Sequence, residues 1–304
     1  MTKEARFTDI PPLEYYYLHG YKLMNPFCRI LSENPQYRFI LEWRNLQFEG
    51  EKDSRLRLAD SITIKTLMSL KGSLDSKALK ILGLDEWELN CVITGDASGE
   101  HKALVKESGM KAEDLPSASQ ILGGARETAR NRLGSLWQLL VQTRIALASA
   151  APPSDTCLIR GDTSGMINYL STQGVSFPPP TAAAFANVSS VVWRTNQFFS
   201  TSIGNELASL AGKALVWIIR INPGSTEGRS GGVYTSEAEI LFPYDVSFKL
   251  DGVIGASSRE QIAGLNLSGF SKAEELRAKM IAVYDANKNS WTDNKVRFLV
   301  ATEQ

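Results

Sequence analysis

The chain has 304 residues, 43% of them hydrophobic and 22% charged, which is the composition of an ordinary globular protein with a substantial core. Its 33 basic residues balance 33 acidic residues, so nucleic acid is not the expected partner, because phosphate binding requires a basic surface. No apolar run approaches the ~20 residues that span a bilayer, and the N-terminus lacks the apolar segment of a cleaved signal peptide.

The first half of the chain has mainly helical patterns. Apolar residues recur at helical spacing over residues 55–71, and a short helix is predicted over 75–82. The clearest long helix covers residues 124–150, where Leu133, Trp137, Leu140, Val141, Ile145 and Leu147 mark one broad face. Residues 92–118 are more polar and indicate a connection with short helical pieces. Pro152 and Pro153 then end the helical half.

The second half alternates short β-type runs with clusters of Gly, Pro, Ser and Asn. Strands are predicted near 155–160, 189–194, 197–202, 214–221, 237–242, 245–254 and 295–301. Residues 271–284 indicate a helix before the last strand, and Ser271 with Glu274 fits a capping box. Helices followed by strands, without regular alternation, predict an α+β fold.

Few residues suit metal or nucleophilic chemistry. Cys28, Cys91 and Cys157 are far apart and form no CxxC pair, so we expect reduced, buried thiols and no metal. His19 and His101 are the only histidines, and both precede the strand-rich half. A mechanism with a histidine base is therefore not expected.

Three stretches of the strand-rich half combine unusual residue types. They are CLIRGDTS, with Arg160 and Gly161; FFSTSIG, with Ser200, Thr201 and Ser202; and YTSEAEILFP, with Glu237 and Glu239. Each alone has an ordinary explanation: a surface Arg–Asp pair, an edge-strand hydroxyl ladder, or a solvated strand face. Together they indicate one site, because two carboxylates at a spacing of two repel unless cations or donors lie near. A guanidinium beside open backbone suits a phosphate, and hydroxyls can hold a carboxylate in one rotamer.

The order Arg, Ser-Thr-Ser and Glu-x-Glu, with its flanking residues, resembles the arginine–serine–glutamate clade of mono-ADP-ribosyltransferases. The resemblance covers roughly residues 120–255. It implies an ADP-ribosyltransferase-like mixed-sheet core over residues 116–304, preceded by a helical region, 1–115, for target binding or support. It also implies an enzyme that uses NAD as co-substrate, without a metal.

The resemblance assigns a role to each motif residue. Glu239 would stabilise positive charge on the nicotinamide ribose and bind its 2′-hydroxyl. Arg160 would clamp the NAD phosphates, and the Gly161 backbone would approach the nicotinamide amide. Ser200 and Ser202 would bracket Glu239. Thr201 belongs to the same cofactor-binding motif, but its side chain is expected to face the core.

Glu237 corresponds to the family residue that positions and deprotonates the acceptor. Arginine is therefore the favoured acceptor, with a threonine or other hydroxyl as the alternative. Residues 224–236 correspond to the target-recognition loop, in which Tyr234 is a candidate aromatic contact. One departure is that residues 203–213 lack the aromatic residue that stacks on nicotinamide in many members. Trp193, Phe198, Phe199, Leu207 and Leu210 are the candidate replacements.

Through this resemblance, the sequence predicts a protein ADP-ribosyltransferase of the kind found among bacterial toxins and effectors. Its partner would be a host protein such as a small GTPase, actin or ubiquitin. We expect a soluble protein, delivered without a cleaved signal peptide into the host cytosol. An NAD glycohydrolase, which needs Arg160 and Glu239 but not Glu237, is one alternative. A non-catalytic binding module on the same fold is the other.

Overall fold

The computed structural model describes residues 11–17, 21–35, 49–50, 52–73, 82–154, 156–177, 185–188, 191–204, 207–222, 224–230, 238–289 and 296–304. The chain divides into two compact units, Met1–Ala146 and Leu147–Gln304. The predicted domain boundary at residue 116 lies earlier, and the assignment of residues 116–146 to a catalytic domain stays a prediction. None of the helices in the described ranges is long and apolar enough to cross a membrane.

The first unit is helical over its described residues. Its helices are α1 (Pro12–Tyr15), α2 (Tyr21–Glu33), α3 (Ser54–Ser73), α4 (Glu86–Thr94), α5 (Ser98–Ser108) and α6 (Ala118–Ala148), which extends just past the unit. The predicted helices 55–71 and 124–150 are confirmed as α3 and α6. The polar stretch 92–118 holds the expected short helical pieces. Most of the predicted helix 75–82 lies outside the described residues.

Local signals explain where α4 begins and ends. Its first turn is closed by Glu88, whose carboxylate accepts a hydrogen bond of 2.9 Å from the Asp85 backbone N–H. Gly95 ends the helix with φ +72°, a conformation that glycine adopts without steric cost. On α6, by contrast, the prediction for Ile145 is wrong, because this side chain is 63% exposed rather than part of the buried face.

The second unit is built on one mixed sheet. Its strands are β1 (Leu158–Asp162), β2 (Phe185–Asn187), β3 (Val192–Arg194), β4 (Phe199–Ser202), β5 (Leu215–Arg220), β6 (Arg229–Ser230), β7 (Glu239–Phe242), β8 (Ser247–Ala256) and β9 (Val296–Glu303). The order is β2-β8-β9-β5-β1-β4-β7-β6, and β3 also pairs with β8. Only the β5–β9 pair is parallel among these strands. The α+β prediction is confirmed, and each predicted strand overlaps an observed one.

Helices cover both faces of this sheet. One face packs on α8 (Arg259–Ala263) and α9 (Ala273–Asn287), and we call it the α9 face. The other packs on α7 (Ser164–Thr172) and is called the α7 face. Because side chains alternate along a strand, neighbours in sequence go to opposite faces. In β1, for example, Ile159 lies in the α9-face core and Leu158 in the α7-face core.

The helix predicted over 271–284 is confirmed as α9, but its predicted capping box is wrong. The residue before the helix is Lys272, with φ +58°, and it makes no side-chain cap. Ser271 Oγ instead accepts a hydrogen bond of 2.9 Å from Arg220. The helix is held by Glu275, whose carboxylate accepts bonds of 2.7 Å from Thr156 Oγ1 and the Cys157 backbone N–H. This ties α9 to the chain just before β1.

The prediction of buried cysteines is confirmed, because Cys28, Cys91 and Cys157 all lie in the interior. Burial raises the pKa of the Cys157 thiol to about 11. A thiol with so high a pKa is protonated at neutral pH and is therefore a poor nucleophile. The cysteine nearest to the motif strands is therefore a core residue.

Candidate active site

The three motif strands are neighbours in the sheet. β4 pairs with β1 on one side and with β7 on the other, both antiparallel. Ser202 is the residue of β4 that faces Ile159 of β1 and Glu239 of β7. Residues opposite one another in such a pair share a face. Residues about forty positions apart in sequence are thereby brought to one place.

Glu239 is held by the middle strand. Ser200 Oγ donates a hydrogen bond to Glu239 Oε1, and both residues are partly buried. Ser202 lies directly opposite Glu239, and its Oγ accepts a bond of 3.0 Å from the Gly204 backbone N–H. Ile240 and Phe242 belong to the α7-face core, so alternation puts Glu239 on the α9 face. A carboxylate fixed by a hydroxyl donor and open to solvent on one side is suited to electrostatic catalysis.

Thr201 faces away from this carboxylate. It is only 3% exposed, and its hydroxyl donates a bond of 2.8 Å to the Ile240 carbonyl oxygen. The structure thus places Thr201 in the core, as expected from its position between two outward serines. Its contribution to the site is to join β4 and β7 in register.

The backbone turns sharply just before Glu239. Ala238 has φ +44°, in the left-handed region that costs a residue with a side chain about 1 kcal/mol. Its carbonyl oxygen accepts a bond of 3.1 Å from the Ile203 backbone N–H. The strained residue therefore lies next to the carboxylate and is anchored to the end of β4. Glu237 and Tyr234 lie outside the described residues.

The start of the predicted target-recognition loop is part of the sheet edge. Residues 229–230 form β6, with Arg229 opposite Leu241. Ser230 donates its backbone N–H to the Ala151 carbonyl oxygen at 2.8 Å. The Thr226 carbonyl oxygen accepts a bond from the Arg229 guanidinium. The loop thus leaves a fixed edge strand before it enters residues 231–237, which the structure does not describe.

Arg160 lies on the α7 face, where its guanidinium donates hydrogen bonds to other groups of the protein. Its Nε donates to Asp162 at 3.0 Å, and its Nη1 donates to the Ser200 carbonyl oxygen at 2.8 Å. The guanidinium also lies over the Phe199 ring, 4.4 Å from the ring centroid. Trp217 Nε1 donates to the same Asp162 carboxylate at 3.0 Å. The structure brings Arg160 beside Ser200 but does not turn it toward Glu239.

Gly161 meets a lysine that the sequence analysis did not single out. A side chain added at Gly161 would lie 2.6 Å from Lys213 Cγ and 2.9 Å from Leu210 Cδ2, closer than real contacts allow. The glycine is therefore needed for the Lys213 stem to cross β1. Because Leu210 belongs to the α9-face core, Lys213 lies over the face that carries Ser200 and Glu239. Only the three-dimensional packing reveals this cation, since residues 203–213 show no charge pattern.

A second lysine borders the same region. Lys279 of α9 donates through Nζ to the Ile203 carbonyl oxygen, one residue after Ser202. Its Nζ lies 3.1 Å from the position of a side chain added at Gly204. The end of β4 next to Glu239 is therefore flanked by basic residues from two elements. Such surroundings favour an anionic ligand.

The candidate replacements for the missing aromatic residue divide into two groups. Trp193, Phe198 and Phe199 are at most 5% exposed, and Leu210 is also buried. Trp193 and Phe199 pack against Trp217 on the α7 face. Leu207 is partly buried on the α9 face, which is also the face of Glu239. The three aromatic residues are core residues.

Comparisons with known proteins find distant similarity to solved structures. No protein-family model matches the chain, and no curated protein matches its sequence. The C-terminal toxin domain of RHS2 from Yersinia entomophaga is 16% identical, with 67% of this chain and 90% of that one covered, at a TM-score of 0.38. Plx2a, an ADP-ribosyltransferase toxin from Paenibacillus larvae, is 10% identical, with 83% and 96% covered and a TM-score of 0.35.

A third solved structure is BECa, an ADP-ribosylating toxin from C. perfringens in complex with NADH. It is 15% identical, with 73% of this chain and 44% of that one covered, at a TM-score of 0.32. All three of these solved structures are bacterial toxins or parts of them. Identities and TM-scores this low carry no weight for activity, which has to be inferred from the site.

Proposed function

We propose that the C-terminal unit is a mono-ADP-ribosyltransferase, which moves ADP-ribose from NAD to a side chain of a host protein and releases nicotinamide. The observation that carries the proposal is the hydrogen bond from Ser200 to Glu239 on paired strands, with Arg160 on the next strand. Arginine, serine and glutamate thus occur in the family's order on three adjacent strands. Sequence order alone did not require that adjacency.

Glu239 has the properties that the proposed reaction asks of a catalytic carboxylate. Cleavage of the bond between nicotinamide and ribose develops positive charge on the sugar, and a fixed carboxylate stabilises that charge. Ser200 holds one oxygen, so the carboxylate need not reorganise when the charge appears. The partly exposed position of Glu239 leaves room for a sugar on the α9 face.

The residues around Glu239 fit the charge of NAD. The pyrophosphate needs cations, and Lys213 crosses Gly161 on the same face as Glu239. Arg160 can contribute only by exchanging its Asp162 partner for phosphate, since Asp162 now receives two of its nitrogens. We therefore assign the phosphates to Lys213, with Arg160 joining after that exchange.

The acceptor assignment depends on Glu237, which precedes Glu239 by two residues. We propose that Glu237 positions and deprotonates an arginine of the target, with a threonine or other hydroxyl as the second choice. The target belongs to a host cell, and small GTPases, actin and ubiquitin are the candidates. The helical region 1–115 would serve to bind or support. We further propose that the protein is soluble and acts in the host cytosol.

The test is incubation of the purified chain with labelled NAD, with and without a eukaryotic lysate. Glu239→Gln and Glu237→Gln serve as matched variants, because each removes one charge and keeps the side-chain volume. A transferase labels a discrete lysate protein, and both variants abolish the label. Mass spectrometry of that band then gives the acceptor residue.

Two other outcomes would replace the proposal. Release of nicotinamide without protein label, lost in Glu239→Gln and retained in Glu237→Gln, would identify an NAD glycohydrolase. Absence of NAD turnover in every sample, together with measurable NAD binding, would identify a binding module on the same fold.

A further inference from the structure

A cavity of about 660 Å³ lies on the α7 face of the sheet, away from Glu239. It is bounded by α7, by residues 174–177 and by Arg297 near the start of β9. Its size is within the range of sites that hold small organic ligands. From β9 to β7 there are four strand steps, or about 19 Å, and the two sites face opposite sides of the sheet.

Arg297 is the charged group of this cavity. Leu299 and Ala301 belong to the α7-face core, so alternation along β9 puts Arg297 on that face. Its Nε is buried and has no hydrogen-bond partner in the part of the chain that the structure describes. Among the contacts of the described residues, Arg297 also makes no ion pair. A buried donor without a partner destabilises the fold, and a bound anion would satisfy it.

The remaining lining combines donors with an apolar wall. Ser164, Asn168 and Ser176 offer side chains for which no hydrogen bond occurs within the described ranges, and Ser171 donates to the Ile167 carbonyl oxygen at 2.9 Å. Ser164 is the first residue of α7, where backbone N–H groups also favour an anion. The apolar part of the lining consists of Ile167, Val175 and Phe177. The cavity thus offers a cation, neutral donors and a flat apolar surface.

We propose that this cavity is a second ligand site, which binds a small organic phosphate. The phosphate would bind Arg297 in the bidentate manner of guanidinium groups, with Ser164 and Asn168 as further donors. The apolar body of the ligand would lie against Phe177 and Val175. The proposal is independent of the function of Glu239, since the two sites share no residue.

The test is a calorimetric titration of the full chain with phenyl phosphate, which carries both the anion and a flat apolar ring. Phenol tests the aromatic ring alone, and inorganic phosphate tests the anion alone. We expect phenyl phosphate to bind more tightly than either of these. Arg297→Met should weaken its binding about tenfold or more, because a bidentate charged contact is lost. Asn168→Ala, at an exposed position of α7, should weaken it a few-fold without affecting folding.

Arg160→Met is the matched control, because it removes a guanidinium from the same face outside the cavity. Its affinity for phenyl phosphate should equal that of the wild type. Three results would overturn the proposal: no binding at millimolar concentration, equal binding by Arg297→Met, or equal weakening by Arg160→Met. The last result would mean that the probe occupies the NAD site. Thermal melts of both Met variants establish that each is folded.

Discussion

Ser200→Ala tests the contact on which the catalytic proposal depends. The substitution removes the hydroxyl that donates to Glu239 and leaves the strand pairing of β4 unchanged. A hydrogen bond to a charged group contributes about 1.5–3 kcal/mol. Because Glu239 is only partly buried, we reduce this value for solvent screening to about 1–2 kcal/mol. Each 1.4 kcal/mol is about tenfold in rate, so kcat/KM for NAD should fall about 5- to 30-fold.

The assay is nicotinamide release followed at several NAD concentrations, so that kcat and KM are separated. The loss should be mainly in kcat, because a misplaced carboxylate weakens transition-state stabilisation more than binding. Thr201→Val is the control. It removes the neighbouring hydroxyl on the core side, and it should lower stability by about 1 kcal/mol while leaving kcat unchanged. A Ser200→Ala enzyme within twofold of wild type would refute the role assigned to this hydrogen bond.

Three further predictions concern Asp162, Gly161 and Glu303. Asp162→Asn should free Arg160 to bind phosphate, so KM for NAD should fall while the stability of the fold decreases. An unchanged KM would mean that Arg160 has only a structural role. Gly161→Ala should displace the Lys213 stem, raise KM for NAD and cost about 1–3 kcal/mol of stability, as read from kinetics and urea unfolding. Glu303→Gln should stabilise the fold at pH 8, because burial raises the pKa of the Glu303 carboxyl and its ionised form is unfavourable there.

The sign of the Glu303 effect fixes its pH dependence. A carboxyl whose pKa is raised by folding contributes most to stability in acid, and the contribution is lost as pH rises through the folded-state pKa. The gain from Glu303→Gln should therefore shrink as pH falls and vanish near about pH 4, where the unfolded carboxyl is also protonated. Melting temperatures across this range provide the measurement. A gain that grows in acid would contradict the assignment.

Much of the strand-rich unit is predictable because its strands are short, β-branched and bounded by turn residues. ALVWIIRI and KVRFLVA appear as β5 and β9 with small shifts at their ends. The helix α7 was not predicted, because SGMINYLST carries few strong helix formers and depends on packing against the sheet. The capping box at Ser271 failed for a similar reason. Arg220, from a distant strand, takes the hydroxyl that the local pattern assigned to the helix.

In the candidate site, too, the local pattern can be predicted from the sequence, whereas the register between strands cannot. A spacing of two puts residues of one strand on one face, but it does not relate the faces of different strands. That relation depends on register, and a shift of one residue would exchange the faces. Here Ile159 lies opposite Ser202, so Arg160 falls beside Thr201 on the α7 face.

Arg160 and Glu239 therefore lie on opposite faces of the sheet. The α9 face that holds Glu239 receives its cation from Lys213, across the gap left by Gly161. The family resemblance singles out Arg160 and the missing aromatic residue in 203–213. The fold instead identifies Lys213, the last residue of this segment, as the cation on the face of Glu239. Lys213→Met should consequently raise KM for NAD more than Arg160→Met does. The reverse order would mean that Arg160 leaves Asp162 and crosses to the carboxylate face when NAD binds.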